Sequence, residues 1–121
     1  FKNVRVLVVD DNKINQKVTQ HMLRRIKIES HLANNGEEAI NKAKETAYDL
    51  ILMDINMPKV NGIEATKSIR VFNKEIPIIA LTAVELDEMR TEILDSGMND
   101  ILSKPYDVSQ FLSTILSYLE Q

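Results

Sequence analysis

The stretch LILMDINMPKVNG, from Leu50 to Gly62, decides the fold and places one carboxylate at the end of a strand. Four apolar residues, Leu50 to Met53, lead directly into Asp54, and a loop that carries Pro58 and Gly62 follows at once. A short unbroken apolar run bounded by turn residues predicts a strand that is buried on both faces of a sheet. Asp54 then lies at the carboxyl end of that strand, where open α/β sheets place their ligand sites. On this stretch alone, the less favoured alternative is that Asp54 only caps the following helix.

Four other segments have strand-like apolar patterns, and segments with helical periodicity separate them. The predicted strands are Val4–Val9, Ile28–Ala33, Pro77–Thr82 and Ile101–Leu102. Five strands that alternate with helices predict a parallel sheet covered by helices on both faces. In the first helix, a four-residue repeat predicts an inward apolar stripe made of Ile14, Val18, Met22 and Ile26.

Length and composition indicate one soluble domain, residues 1–121. The chain has 121 residues, of which 44% are hydrophobic and 27% are charged, and it has no cysteine. The chain contains no run of about 18 apolar residues, which is the length that a membrane span needs. Its net charge of −3 argues against a nucleic-acid-binding surface. We therefore expect a cytoplasmic domain without direct membrane or nucleic-acid contact. Because the chain begins with Phe1, we also expect it to be a segment of a longer polypeptide.

Polar side chains close four of the five predicted strands. Asp10 and Asp11 follow the first strand and Asp54 ends the third, while Thr82 and Lys104 lie at the ends of the fourth and fifth. Because the carboxyl ends of parallel strands meet at one edge of a sheet, these five side chains are expected to lie together.

The chemistry of this set favours a magnesium-dependent phosphoryl acceptor. Three carboxylates held close together repel one another and need a cation, and oxygen ligands without His or Cys favour Mg²⁺. An aspartate can act as a nucleophile towards phosphorus. The Lys104 ammonium would neutralise charge on the transferring group, and the Thr82 hydroxyl can donate a hydrogen bond to one of its oxygens.

The same residues carry a resemblance to a known family. The Asp10-Asp11 pair, DINMP around Asp54, LTA at residues 81–83 and SKP at residues 103–105 resemble the receiver domain of two-component response regulators. The resemblance covers essentially the whole chain. It implies a flavodoxin-like (βα)5 fold with helices on both faces and strand order 2-1-3-4-5.

The resemblance also assigns roles to residues. Asp54 would be the phosphoacceptor, and Asp10, Asp11 and the backbone carbonyl of Asn56 would complete the Mg²⁺ site with it. Thr82 and Lys104 would contact the phosphoryl group, which comes from a phosphohistidine on a histidine kinase or histidine phosphotransfer partner. Such a domain catalyses its own phosphorylation and dephosphorylation. The Lys104–Pro105 peptide would be cis.

One position departs from the family pattern. Many receivers carry Tyr or Phe three residues before the lysine, where this chain has Ile101, and Tyr106 lies beyond Pro105. We expect Ile101 to repack or stay buried and any switch to run mainly through the loop after Thr82.

The segment DDNKINQKVTQ, residues 10–20, resembles receivers that are fused to hybrid sensor histidine kinases. This resemblance implies a relay stage between phosphohistidines, in the cytoplasmic part of a kinase that can itself be membrane-anchored.

Three other functions share parts of this pattern. A flavodoxin-type FMN carrier needs a Ser/Thr/Gly-rich phosphate loop, and DDNKIN would repel a phosphate. A Mg²⁺-dependent phosphohydrolase usually has a second Asp two residues after its nucleophile, where this chain has Asn56. A phosphorylation-independent interaction module with the receiver fold remains the alternative.

Overall fold

Five strands and five helices alternate along the part of the chain that the computed structural model describes. That part comprises residues 4–55, 57, 60–83, 89–104 and 107–119, with the backbone alone for Ala83 and Lys104. The elements are β1 (Val6–Val9), α1 (Lys13–Arg24), β2 (Ser30–Ala33), α2 (Gly36–Glu45), β3 (Leu50–Asp54), α3 (Gly62–Phe72), β4 (Ile78–Ala83), α4 (Arg90–Asp95), β5 (Asp100–Lys104) and α5 (Val108–Leu119). None of the helices found there has the length and apolar character needed to cross a membrane.

The strands form one parallel sheet in the order β2-β1-β3-β4-β5. This confirms the predicted fold class and strand order. The register pairs Val9 of β1 with Met53 of β3, and Asp54 with Leu81 of β4. β1 and β3 therefore end within one residue of each other at one edge of the sheet, and β4 continues two residues beyond the partner of Asp54.

Helices cover both faces of the sheet because successive strand side chains point to opposite sides. On one side, Val6 and Val8 pack in a core cluster with residues of α1 and α5, including Leu23 and Phe111. On the other side, Leu7 and Val9 belong to the cluster that contains buried residues of α2, α3 and α4, namely Ala39, Ile63, Ala65, Ile69 and Ile93. The central strands are buried on both faces, which explains their unbroken apolar sequences.

Asparagine or aspartate side chains cap the N-termini of four helices, at the edge of the sheet where the strands end. Their side-chain oxygens accept hydrogen bonds from backbone N–H groups of the first helical turn, which otherwise have no partner within the helix. These capping residues are Asn12, Asn35, Asn61 and Asp107.

The predicted apolar stripe of α1 is wrong at its first two positions. Ile14 is 72% exposed and Val18 is 46% exposed. The buried residues of α1 are instead Gln16, Thr19, Met22 and Leu23. The reason is that α1 begins over the polar edge of the sheet, where a hydrogen-bonding side chain satisfies the backbone better than an apolar one does. The first turns of α1 consequently present their apolar side chains to solvent.

Candidate functional site

Three carboxylates meet where β1 and β3 end. Asp10 follows Val9, Asp54 follows Met53, and these two preceding residues are paired in the sheet. Asp10 and Asp54 are therefore neighbours across two strands, and Asp11 is the next residue along the chain. One carboxylate oxygen from each of the three aspartates lies within 4.8 Å of the corresponding oxygens of the other two. The predicted cluster of acids is present in the structure.

The three acids differ in their exposure to solvent. Asp10 is fully buried, Asp54 is 6% exposed, and Asp11 is exposed. Carboxylates at this separation repel one another, and burial of two of them weakens the screening by water. The cluster is therefore an electrostatically costly arrangement that a cation would stabilise.

The backbone and carboxylate of Asp10 are held by three hydrogen bonds. Its N–H donates to the carbonyl oxygen of Ala33 at 3.1 Å, which continues the β1–β2 ladder by one residue. Its carbonyl oxygen accepts from Gln16 Nε2 at 2.6 Å, and its Oδ1 accepts from the N–H of Asn12 at 2.9 Å. These bonds hold the backbone and the carboxylate of Asp10 in one orientation.

The chain after Asp54 folds back closely against the strand end. The N–H of Ile55 donates to the carbonyl oxygen of Leu81 at 3.2 Å, and the N–H of Gly62 donates to the carbonyl oxygen of Ile55 at 3.1 Å. A Cβ at Gly62 would clash with the backbone carbonyl oxygen of Asp54. Gly62 therefore allows α3 to begin directly beside the acid. From the sequence alone, this glycine is recognisable only as a turn residue.

Thr82 and Lys104 occupy neighbouring strand ends. Thr82 is 3% exposed and pairs with Ser103, and it comes one residue after Leu81, the partner of Asp54. The backbone of Lys104 is paired with Ala83 at the end of β5. The Lys104 side chain, the Asn56 carbonyl and the predicted cis Lys104–Pro105 peptide lie outside the described residues, and so does Tyr106.

Ile101, at the position where many receivers have an aromatic ring, lies in β5 opposite Ala80. It is partly buried and packs against the core cluster on the side of α2, α3 and α4. The proposed repacking of this side chain during signalling stays a prediction.

The donor set of the acid cluster fits a magnesium ion. Mg²⁺ prefers oxygen ligands at about 2.0–2.1 Å in an octahedron, so opposite ligands are about 4.2 Å apart. Carboxylate oxygens within 4.8 Å of one another can surround one such ion directly or through waters that it keeps. None of the three donors is a His or Cys side chain, which Zn²⁺ would favour.

Comparison with known proteins agrees with this geometry. The model of the family "response regulator receiver domain" matches residues 6–116. The osmosensing histidine protein kinase SLN1 of Saccharomyces cerevisiae is 45% identical over 122 residues, which cover 95% of this chain and 10% of the kinase. The chain thus spans only a small part of that relative.

Two solved structures are similar over nearly the whole chain. The receiver domain of sensor histidine kinase PA1611 from Pseudomonas aeruginosa, with a magnesium ion coordinated in its active site cleft, has a TM-score of 0.90 at 36% identity and 98% coverage of both chains. The co-crystal structure of the Saccharomyces cerevisiae histidine phosphotransfer protein Ypd1 and the Ssk1 receiver domain gives a TM-score of 0.87 at 38% identity, covering 95% of this chain and 88% of that one. Together with the sheet order and the three acids, these matches establish that the chain belongs to the response regulator receiver domains of two-component systems.

Proposed function

We propose that Asp54 is the residue that accepts a phosphoryl group from a phosphohistidine of a partner protein. The observation that carries this proposal is the position of Asp54 at the end of the central strand β3, nearly buried and within 4.8 Å of two further carboxylates. Asp54 is the member of the cluster that lies between β1 and β4, so groups from both neighbouring strands flank it.

In the proposed transfer, a carboxylate oxygen of Asp54 attacks the phosphorus atom of the phosphohistidine. The new P–O bond gives an aspartyl phosphate, the P–N bond breaks, and the electron pair leaves with the imidazole nitrogen. The hydroxyl of Thr82 donates a hydrogen bond to one phosphoryl oxygen, and the Lys104 ammonium balances the charge of another. Burial of the strand ends keeps these interactions from being screened by water.

Asp10, Asp11, Asp54 and the backbone carbonyl of Asn56 are the groups that would hold Mg²⁺. The bound ion would supply positive charge beside the phosphoryl oxygens and remove the mutual repulsion of the acids. Support comes from the all-oxygen donor set in this chain and from the magnesium ion reported for the PA1611 receiver domain.

A histidine phosphotransfer protein or a histidine kinase is the partner that the proposal requires. A protein that presents its phosphohistidine to Asp54 must also cover the surface next to the acids. Ile14 lies three residues after Asp11, and Val18 lies four residues after Ile14, on the same side of α1. Both side chains are exposed. We therefore assign this apolar strip as part of the docking surface for a histidine phosphotransfer protein, since Ypd1 binds a similar receiver domain.

The similarity to part of SLN1 further supports a place in a longer sensor kinase. In such a chain, the domain would pass the phosphoryl group from one phosphohistidine to another. The expected location is the cytoplasm, where the kinase domain of the parent chain would have access to ATP.

Transfer from a phosphorylated histidine phosphotransfer protein tests this function. Ypd1 carrying a ³²P-labelled phosphohistidine would be mixed with the wild-type chain in Mg²⁺, with excess EDTA, and with the Asp54→Asn variant. The label should move to the wild-type chain only when Mg²⁺ is present, and it should not move to the variant. Equal labelling of Asp54→Asn would show that another residue accepts the phosphoryl group. Stable binding of Ypd1 without transfer would favour the phosphorylation-independent interaction module.

A further inference from the structure

A buried side-chain amide on α1 connects the acid cluster to the neighbouring turn. Gln16 is 2% exposed, and its Nε2 lies 2.6 Å from the carbonyl oxygen of Asp10 and 2.9 Å from Oδ1 of Asn34. A backbone carbonyl only accepts hydrogen bonds, so the nitrogen of the Gln16 amide must face Asp10. Both of its hydrogens are then used, one for each acceptor.

The hydrogen bond from Gln16 to the Asp10 carbonyl restricts the orientation of both Asp10 and Asp11. The carbonyl of Asp10 and the N–H of Asp11 belong to one planar peptide group. Holding the carbonyl oxygen therefore fixes the plane that joins Asp10 to Asp11. Because the N–H of Asp10 is also bonded to Ala33, rotation of the backbone on both sides of Asp10 is restricted.

Asn34, the second acceptor of Gln16 Nε2, belongs to a small polar network. Asn34 Oδ1 also accepts from Lys13 Nζ at 2.8 Å, and Asn34 Nδ2 donates to Glu38 Oε1 at 3.2 Å. This network ties the turn before α2 to the first turns of α1. Gln16 thus spans from a fixed turn to the peptide between the two acids.

We propose that Gln16 is a positioning residue of the metal site, which sets the orientation of the Asp10–Asp11 peptide through its side-chain amide. The proposal rests on the assignment of Asp10 and Asp11 as Mg²⁺ ligands under the proposed function. Groups that orient metal ligands typically change metal affinity by about 10–100-fold when they are removed. A residue that merely fills space in the interior would not have this effect.

The test compares Gln16→Met with Thr19→Val. Methionine nearly matches glutamine in size and in helix propensity but donates no hydrogen bond. Thr19 is the matched control because it lies on the same helix, is fully buried, and has a hydroxyl without a hydrogen-bond partner among the described residues. Mg²⁺ affinity would be measured by calorimetric titration, with the thermal midpoint of the metal-free proteins as the measure of folding. Gln16→Met is expected to raise the Kd for Mg²⁺ about tenfold, and Thr19→Val should leave it within about twofold.

A wild-type Kd in Gln16→Met would overturn the proposal, and so would an equal loss of affinity in both variants. If Gln16→Met does not fold, the side-chain amide signals of the wild-type protein still decide the matter by NMR. The signals of Gln16 should shift with the Mg²⁺ titration while those of Gln20, further along α1, stay unchanged. Movement of the Asp11 backbone signal without any change at Gln16 would refute the positioning role. A wild-type protein without Mg²⁺ affinity would instead overturn the proposed metal site itself.

Discussion

Replacing Asp11 by Asn should stabilise the protein in the absence of metal while weakening its response to Mg²⁺. The substitution keeps the size of the side chain and removes one of three negative charges whose oxygens lie within 4.8 Å of one another. Asp11 is the exposed member, so the change leaves the buried packing of Asp10 and Asp54 intact. The predicted effect is therefore almost purely electrostatic.

The magnitude follows from the separation of the charges. Two unit charges 4.8 Å apart repel by about 0.9 kcal/mol in water and by about 3.5 kcal/mol at an effective dielectric constant of 20. The lower value applies to exposed Asp11, and physiological salt reduces it by nearly half, so relief of both repulsions gives about 1 kcal/mol. Loss of a negative charge near the start of α1 costs about 0.3 kcal/mol. The net gain of about 0.7 kcal/mol raises the thermal midpoint of a chain of 121 residues by about 3 °C.

Thermal unfolding, once with EDTA and once with about 10 mM Mg²⁺, measures both effects. Binding to the folded state stabilises the wild type by RT ln(1 + [Mg²⁺]/Kd), and the weaker site in Asp11→Asn must gain less. Glu37→Gln is the control, since Glu37 is an exposed acid in the first turn of α2 outside the three-acid cluster. Its midpoint should not rise in EDTA. A lower midpoint for metal-free Asp11→Asn than for the wild type, or an equal gain from Mg²⁺, would refute the reasoning.

Three further predictions concern Gly62, Ile14 and Lys104. Gly62→Ala should lower the free energy of unfolding by about 1–3 kcal/mol, because its Cβ meets the Asp54 carbonyl; unchanged urea unfolding would contradict this. Ile14→Ser should slow transfer from phosphorylated Ypd1 about tenfold and spare labelling by acetyl phosphate. Val71→Ser, which alters an exposed valine at the end of α3, is its control, and equal slowing by both variants would exclude a specific docking strip. Lys104→Ala should keep the fold, measured by circular dichroism, and weaken any phosphorylation-dependent partner binding; an unchanged affinity difference would count against a role for Lys104.

The sheet and the acid cluster were predictable because each depends on a strong local signal. Continuous apolar runs indicate strands that are buried on both faces, and parallel strands necessarily end at a common edge. Asp10, Asp11 and Asp54 follow directly from that geometry. Successive side chains along a strand point to opposite faces of the sheet. Val8 and Leu52 lie in the same core cluster, and Asp10 and Asp54 each come two residues later, so this alternation places both aspartates on the same face.

The orientation of α1 was not predictable from its apolar spacing. Ile14 and Val18 repeat every four residues as core positions do, yet they face solvent, and the inward position is taken by polar Gln16. Periodicity records which residues are apolar but not whether a polar one finds hydrogen-bond partners inside the protein. The partners of Gln16 come from the end of β1 and from the turn before α2, so only the folded chain brings them together. The close approach of Gly62 to the Asp54 carbonyl was also not predictable, because only the folded chain brings the two residues together.

The most direct test of the central claim is the intact mass of the chain after incubation with acetyl phosphate. The wild type and Asp54→Asn would be measured side by side, each with Mg²⁺ and with EDTA. If Asp54 is the phosphoacceptor, the wild type gains one phosphoryl group only with Mg²⁺, and the variant gains none. The same gain in Asp54→Asn, or a gain that does not depend on Mg²⁺, would contradict this assignment.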